Sequence, residues 1–350
     1  MAQPTDIPVL DLSGPNRHVL LVRRPTGIPQ TEDFALAESP VPEPGEGQFL
    51  VRNVFLSVDP AQRGWVSAEV NYSAPVALGT PMRALAVGVV VRSRDPEVAE
   101  GDCLYGWFDW QHYAVADKTR IVARARHALP LSAFAGPLGI NGLTAYLALT
   151  TLGRPEPGET LLVSTAAGAV GGFVGQIGAM LGCKTIGMTG SDDKVRLCRE
   201  RLGYAEAFNY KIAIGTPDGL SQELIRAMPE GIDVFFDNTG GPMLDTALRR
   251  MRVGGRVVQC GTVSVPQWTP PPMGLRNERE VLTRRLSWSG FVIFDHAPRF
   301  AKAMDQLAEW VGDGRLVYQE DVSVGLEHAP GAIAGLYAGE NSGKRLIRVV

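Results

Sequence analysis

The segment STAAGAVGGFVGQIGAMLGCKTIGMTGSDDK, from Ser164 to Lys194, holds the residues whose types and spacing point most directly to chemistry. Ala166-x-Gly168-x-x-Gly171 stands between an apolar run and an apolar helical pattern. In such a turn Gly168 lets the backbone approach a pyrophosphate, and Gly171 lets the helix pack close to the strand before it. The helix start then offers N–H groups and the positive end of its dipole. The glycines alone also fit a helix packed on a strand through small residues. The second strand that follows favours a dinucleotide site.

An acid that grips an adenosine ribose belongs about 20 residues past the first glycine. The sequence there is Met188-Thr189-Gly190-Ser191, with no carboxylate at the strand end. A carboxylate would repel a 2′-phosphate, whereas Ser191 and Lys194 can bond one. The missing acid therefore predicts NADP(H). Asp192 and Asp193 follow at once, and they fit as cap and first-turn residues of the next helix.

Other chemistries find little support. The five histidines, His18, His112, His127, His296 and His328, form no H-x-x-H or HExxH spacing. The four cysteines, Cys103, Cys183, Cys198 and Cys260, form no CxxC pair. No metal site is expected, nor a disulfide framework, and this cysteine usage suits a reducing cytoplasm. STAAG and GTVSVP are not nucleophile elbows.

The elements that must position the turn follow from hydrophobic patterning. Up to about residue 130, runs such as RHVLLVRRP, GQFLVRNVFLSVDP and MRALAVGVVVRS read as short strands bounded by Gly or Pro. From Gly139 the pattern alternates. NGLTAYLALTTLG is helical, ETLLVS is a strand, AVGGFVGQIGAMLG is a helix and KTIGMTG is a strand. The helix DDKVRLCRERLG and the strands AEAFNYK, GIDVFFDNTG and GGRVVQCGTVS continue it. This alternation predicts an α/β fold with a parallel, doubly wound sheet. The end is mixed: helix RFAKAMDQLAEWVGDG, strand YQEDVSVG, helix APGAIAGLYAGE and strand KRLIRVV.

With 350 residues the chain is long enough for two domains. It is 45% hydrophobic and 20% charged, as a globular protein is, and a net charge of −3 gives no reason to expect nucleic acid or an anionic membrane. The start MAQPTDIPVLDLSG has no signal pattern, and no apolar run reaches the roughly 18 residues of a membrane helix.

Taken in order, SVDPAQRGWV, YSAPVALGTPMRALAVGVVV, INGLTAYLAL, AAGAVGGFVGQIGAMLGCKTIG, GSDDK, FNYK, FDNTGG, GRVVQCG, GFVIFDHAPRF and GENSGKRLIRV carry a family resemblance over nearly the whole chain. The sequence resembles the zinc-free medium-chain dehydrogenases/reductases. Within them it is similar to the alkenal double-bond and leukotriene/prostaglandin reductases, and to their bacterial curcumin-reductase-like members. The resemblance implies a Rossmann domain, residues 131–309, inserted into a GroES-like β-rich catalytic domain, residues 1–130 and 310–350. It implies NADPH-dependent reduction of a carbon–carbon double bond conjugated to a carbonyl, and a homodimer. RALAVGVV stands where zinc-dependent relatives carry ligands, and it has none.

The resemblance also assigns residues. Asn141, Gly142 and Thr144 would lie near the nicotinamide phosphate. Ala167, Gly168, Ala169 and Val170 would form the pyrophosphate turn. Thr189, Gly190 and Ser191 would end the second strand, and Lys194 and Tyr210 would hold the 2′-phosphate. Asn238 would sit at the carboxyl end of the sheet, followed on the next strand by Cys260, Gly261 and Ser264. Phe291, Val292 and Ile293 would place backbone beside the carboxamide, and Asn341 would reach the cofactor from the catalytic domain. Read without the resemblance, Lys194 is a solvated helix lysine, Tyr210 a half-buried strand aromatic and Asn238 a turn residue.

Two departures bear on the chemistry. Relatives often carry Tyr where this chain has Ala61, and again two residues past the serine matching Ser264, where it has Pro266. The second of those tyrosines is assigned to the substrate carbonyl or the nicotinamide ribose. PQWTPPPMGL would then be a proline-stiffened lid bearing Trp268. Reduction of an enone collects charge on the carbonyl oxygen, which needs a donor. Tyr72 in NYSAPV is the candidate, against the plainer reading of a packing aromatic. A quinone reductase on the same fold and a non-catalytic NADPH-binding protein are the alternatives.

Overall fold

The computed structural model describes residues 3–350 except Val70, Pro217 and Pro266. Two compact units emerge, Met1–Gly139 with Glu320–Val350, and Ile140–Gln319. These limits lie about ten residues beyond 130 and 309. Leu131–Ala135 is a fully buried 3-10 turn, and its first N–H is held by Asp6 Oδ1 at 2.6 Å, so it belongs with the chain before it. At the other limit the helix Phe300–Gly312 runs unbroken across residue 309, and its buried stripe cannot be divided between two cores.

The first unit is mostly sheet, with short helices at Gln62–Val66 and Ala329–Ala338. Strands β1 (Asn16–Leu21) and β2 (Phe34–Ser39) form an antiparallel pair. The chain continues through β3 (Phe49–Ser57), the short helix α1 (Gln62–Val66), β4 (Leu85–Ser93), β5 (Cys103–Trp107), β6 (Tyr113–Ala116) and β7 (Ile121–Arg124). It leaves this unit at Gly139 and returns as β14 (Glu320–Val324) and β15 (Lys344–Arg348). The order is β14-β15-β3-β4-β5-β7, with β6 also on β3. β3 is buried almost throughout and takes three polar residues inside, Arg52, Asn53 and Ser57. Asn53 Nδ2 donates to the Phe108 and Gln111 carbonyls, and Arg52 donates to the Val349 carbonyl while stacking on Tyr113. The buried donors of both side chains so find partners, whereas Asn53 Oδ1 has none among the described residues.

The second unit begins with helix α2 (Ile140–Ala148) and a π-helical turn, Leu149–Gly153. Strand β8 (Thr160–Ser164), helix α3 (Gly171–Met180), β9 (Lys184–Thr189), helix α4 (Asp192–Glu200) and β10 (Glu206–Asn209) come next. β11 (Ile232–Asp237), β12 (Met251–Gln259) and β13 (Ser287–Gly290) complete the sheet. Every pairing is parallel and the order is β10-β9-β8-β11-β12-β13. The first three strands thus run outward one way and the last three the other, so the sheet reverses between β8 and β11. In such sheets ligands bind beyond the carboxyl ends of the strands at that reversal.

Alternation along β8 serves two cores. Leu162 joins Ile186, Met188, Phe235 and Val257 in one cluster with Leu224 and Leu248 from the helices Gly219–Ala227 and Gly241–Leu248. Leu161 points the other way, where it lies under Gly178 of α3. Both faces of β8 are buried, which is why these strands read as continuous apolar runs rather than alternating ones.

One reading of the sequence shifts locally. AEAFNYK does not stay extended: β10 stops at Asn209, and Tyr210–Ala213 is a single helical turn. Asn209 Oδ1 accepts the Lys211 N–H at 3.1 Å, which caps the turn and ends the strand.

Candidate functional site

The second unit brings most of the assigned residues to the carboxyl edge of its sheet. β8 ends at Ser164 and enters a tight turn through Thr165, a β-branched residue held at φ 54°. Non-glycine residues of this shape rarely adopt that conformation, and such strain collects at ligand sites. The Thr165 carbonyl accepts the Gly168 N–H at 2.8 Å. A Cβ on Gly168 would stand 3.0 Å from that carbonyl, and one on Gly171 would overlap it. Gly171 therefore excludes a larger residue, and Gly168 admits one only if the turn gives. Val170 is the N-cap of α3 and, being apolar, gives its first N–H groups no side-chain cap. Ala167 and Ala169 lie in the same turn.

β9 ends at the buried Thr189, followed by Gly190 and Ser191. Ser191, rather than Asp192, is the N-cap of α4: its Oγ accepts the Lys194 N–H at 3.3 Å. A hydroxyl that accepts there can still donate its proton. Asp192 turns to Asn209, whose Nδ2 donates to its Oδ1 at 2.9 Å, and Asp193 pairs with Arg196. Both carboxylates of this segment are thus engaged by neighbouring side chains. A Cβ on Gly190 would lie 3.5 Å from the Tyr210 ring and 3.6 Å from its hydroxyl. Tyr210 thus stands beside Gly190, although it comes from the turn after β10, and burial raises its phenol.

β11 ends at Asp237, which sequence reasoning passed over. This fully buried carboxylate takes the Ser164 hydroxyl at 2.8 Å, the Thr239 N–H at 2.8 Å and the Thr239 hydroxyl at 2.7 Å. It also takes the Gly240 N–H and Gln259 Nε2, each at 2.9 Å. One side chain so ties the ends of β8, β11 and β12 together. Asn238 is held over the same strand ends, its N–H donating to Ser164 Oγ at 2.8 Å and its Nδ2 to the Ser164 carbonyl at 2.7 Å. Ser264 Oγ donates to the Thr239 carbonyl at 2.8 Å, closing the loop after β12. Cys260 and Gly261 lie between, with their N–H groups on the Asp237 carbonyl. Burial, then the Asp237 carboxylate, pushes the Cys260 thiol up to about 12, which rules it out as a nucleophile at neutral pH.

Phe291 and Val292 follow the last residue of β13, and Ile293 opens a 3-10 turn. The Phe291 N–H donates to the Gln259 carbonyl at 3.0 Å, and its ring stacks on His296 at 4.6 Å. Asn141, Gly142 and Thr144 occupy the start of α2 and are all buried. The segment after Ser264 carries no regular structure as far as Asn277; Pro266 itself lies outside the described residues.

Tyr72 and Asn341 belong to the first unit. Asn341 precedes β15, and its Nδ2 donates to the Gly343 carbonyl at 2.8 Å. Tyr72 is 56% exposed in an irregular loop, where its N–H donates to Asn71 Oδ1. Arg83 steadies that loop by donating to Ser73 Oγ at 2.5 Å. Tyr337, also passed over, is within electrostatic reach of Tyr72, lies beneath Arg63 at 5.4 Å and donates to the Pro60 carbonyl at 3.1 Å. Burial raises its phenol. The signal was faint, because its segment reads only as a helix before the last strand.

A doubly wound sheet with a glycine turn on its first strand and no acid on its second, set by sequence within a β-rich unit, defines a dinucleotide-dependent oxidoreductase. Two family profiles match the chain: "N-terminal domain of oxidoreductase" over residues 17–123 and "Zinc-binding dehydrogenase" over residues 169–309. Among the described residues no group of three or more His, Cys, Asp or Glu could hold a metal ion. The NADPH-dependent curcumin reductase of Escherichia coli is 38% identical, over 95% of this chain and 97% of that protein. The NADP(+)-dependent 2-alkenal reductase of Nicotiana tabacum is 37% identical, over 95% and 97%. The crystal structure of CurA from Vibrio vulnificus in complex with NADPH superposes with a TM-score of 0.88 at 34% identity, over 95% of this chain and 99% of that one. The chain belongs to the medium-chain dehydrogenase/reductase family, in its zinc-independent branch.

Proposed function

We infer that the protein is an NADP-dependent oxidoreductase that reduces the carbon–carbon double bond of α,β-unsaturated carbonyl compounds. The observation that carries this is the strand-end site itself, in a chain whose relatives are NADP-dependent curcumin and alkenal reductases. The residues fit the cofactor. Gly168 and Gly171 let the turn fold tightly on Thr165 at the start of α3, as a pyrophosphate turn needs, and the acid-free end of β9 with Ser191, Lys194 and Tyr210 suits a 2′-phosphate. Asn238, Ser264 and the backbone of Phe291, Val292 and Ile293 are the groups we assign to the nicotinamide half, with Asn141, Gly142 and Thr144 towards its phosphate and Asn341 from the first unit.

When bound, the nicotinamide supplies the hydride. The protein's part is to hold the reacting groups in register and to stabilise charge on the substrate's carbonyl oxygen. We assign that donation to Tyr72, which is 56% exposed in its loop. Solvent protonates the α-carbon.

A screen of NADPH oxidation across enals, enones and quinones tests the reading, with the product weighed and its carbonyl assayed. Saturated carbonyl products are expected. Turnover confined to quinones, or none despite tight NADPH binding, would overturn it. The same reading carries a homodimer, supported by the open edge of β13, and a reducing cytoplasmic setting, supported by four unpaired cysteines. No helix among the described residues is long and apolar enough to cross a membrane.

A further inference from the structure

We propose that Lys211 is a second cation for the 2′-phosphate of NADP(H), and so helps to set cofactor specificity; this rests on the cofactor reading above. The turn after β10 carries Lys211 back towards the end of β9. Its Cε lies 3.3 Å from where a Cβ on Gly190 would stand, on the side that Tyr210 also occupies. Any side chain at position 190 would push this lysine away. Asn209 fixes the approach from both directions: its Oδ1 takes the Lys211 N–H, and its Nδ2 reaches Asp192 next to the N-cap of α4.

The surrounding charges sharpen the assignment. Asp192 is engaged by Asn209, Asp193 by Arg196 and Glu206 by Arg226. The Lys211 ammonium has no acidic partner among the described residues, and its side chain is exposed. Lys194 stands in the first turn of α4, its N–H on the Ser191 Oγ, and Lys211 approaches Gly190 from the turn after the neighbouring strand. A phosphate beside Gly190 would then meet Lys211 and the Tyr210 hydroxyl on the same side. A charge-assisted bond of this kind forms only when the 2′-phosphate is present. NADH carries a hydroxyl there and gains nothing from it.

Binding of NADPH and of NADH to the full-length protein, titrated by calorimetry without substrate, tests this. Lys211→Ala is expected to weaken NADPH roughly tenfold and NADH by less than about twofold, the loss shrinking at high salt because the contact is exposed. Lys211→Arg should restore most of the NADPH affinity. Adenosine 2′,5′-bisphosphate should show the same loss, and adenosine 5′-monophosphate should not. Equal weakening of NADPH and NADH would mark Lys211 as merely structural and overturn the proposal, as would NADPH binding unchanged in Lys211→Ala. Failure of the cofactor reading looks different: the wild-type protein itself would then bind NADH as tightly as NADPH.

Discussion

At the scale of single residues, Asp237 shows how much of the site depends on one carboxylate. Its two oxygens take five donors from three strand ends. Asp237→Asn keeps the shape but turns one acceptor into an NH2 group that faces N–H or O–H donors. Leaving such groups unpaired in the interior costs about 1–3 kcal/mol each. The melting temperature should fall by roughly 2–4 °C per kcal/mol, and NADPH affinity should fall with it as Asn238 and Ser264 shift. An unchanged melting curve would mean that the network relaxes without loss. Tyr72 makes the opposite case, with little packing to lose. If it donates to the substrate oxygen, Tyr72→Phe should lower turnover about a hundredfold, the loss of roughly 2.7–4 kcal/mol that one such donor carries. NADPH affinity and melting should barely move. A wild-type rate for hydride transfer in the Phe variant would leave the assignment without support.

At the scale of elements, α3 explains why the glycines beyond the phosphate turn are there. Gly171, Gly175 and Gly178 lie on one side of the helix and face Thr165, Tyr204 and Leu161. A Cβ on Gly175 would overlap the Tyr204 ring, whose hydroxyl donates to the Gly171 carbonyl at 2.6 Å. Helix propensity alone would make Gly175→Ala stabilising by about 1 kcal/mol. Overpacking costs roughly 1–3 kcal/mol, so the variant should lose stability in a denaturant titration; a gain would show that the ring moves aside freely. This element was legible in the sequence because strand, turn and helix are contiguous there, and each residue's local pattern agrees with its place. Asp237 was not, because Ser164, Asp237 and Gln259 meet only when three separate strands align. Lys211 was hidden for a different reason. FNYK reads as extended chain, and only the Asn209 cap turns it back towards Gly190. The stretch from 131 to Gly139, between the end of the strand-rich pattern and the start of the alternation, was hard to read because a buried 3-10 turn leaves neither a helical nor an alternating pattern.

At the scale of the whole molecule, the two edges of the parallel sheet are unlike. β10 buries Ala207 and Phe208 on one edge. β13, on the other, is the sequence SWSG with three of its four residues exposed, Trp288 at 45% among them. It pairs with β12 and with no other strand among the described residues. An uncovered edge strand invites pairing with another chain, and proteins that stay monomeric blunt it with a lysine, a proline or a bulge. None of these stands within β13, and Val253 and Leu282 are also exposed, at 62% and 76%, on β12 and the helix Glu278–Arg284 before β13. A homodimer built on this edge would cover them. Leu282→Lys alters a side chain that the monomer scarcely buries, so an isolated chain should tolerate it with a change in stability of about 0.5 kcal/mol or less. In the dimer the same charge would lose its water on association. Sedimentation analysis should therefore give twice the chain mass for the wild type and a shift towards the single chain for Leu282→Lys, with NADPH affinity kept, because none of the assigned cofactor residues lies on that helix. A wild-type protein that sediments as one chain at micromolar concentration would remove the dimer, and an unshifted variant would move its interface away from β13.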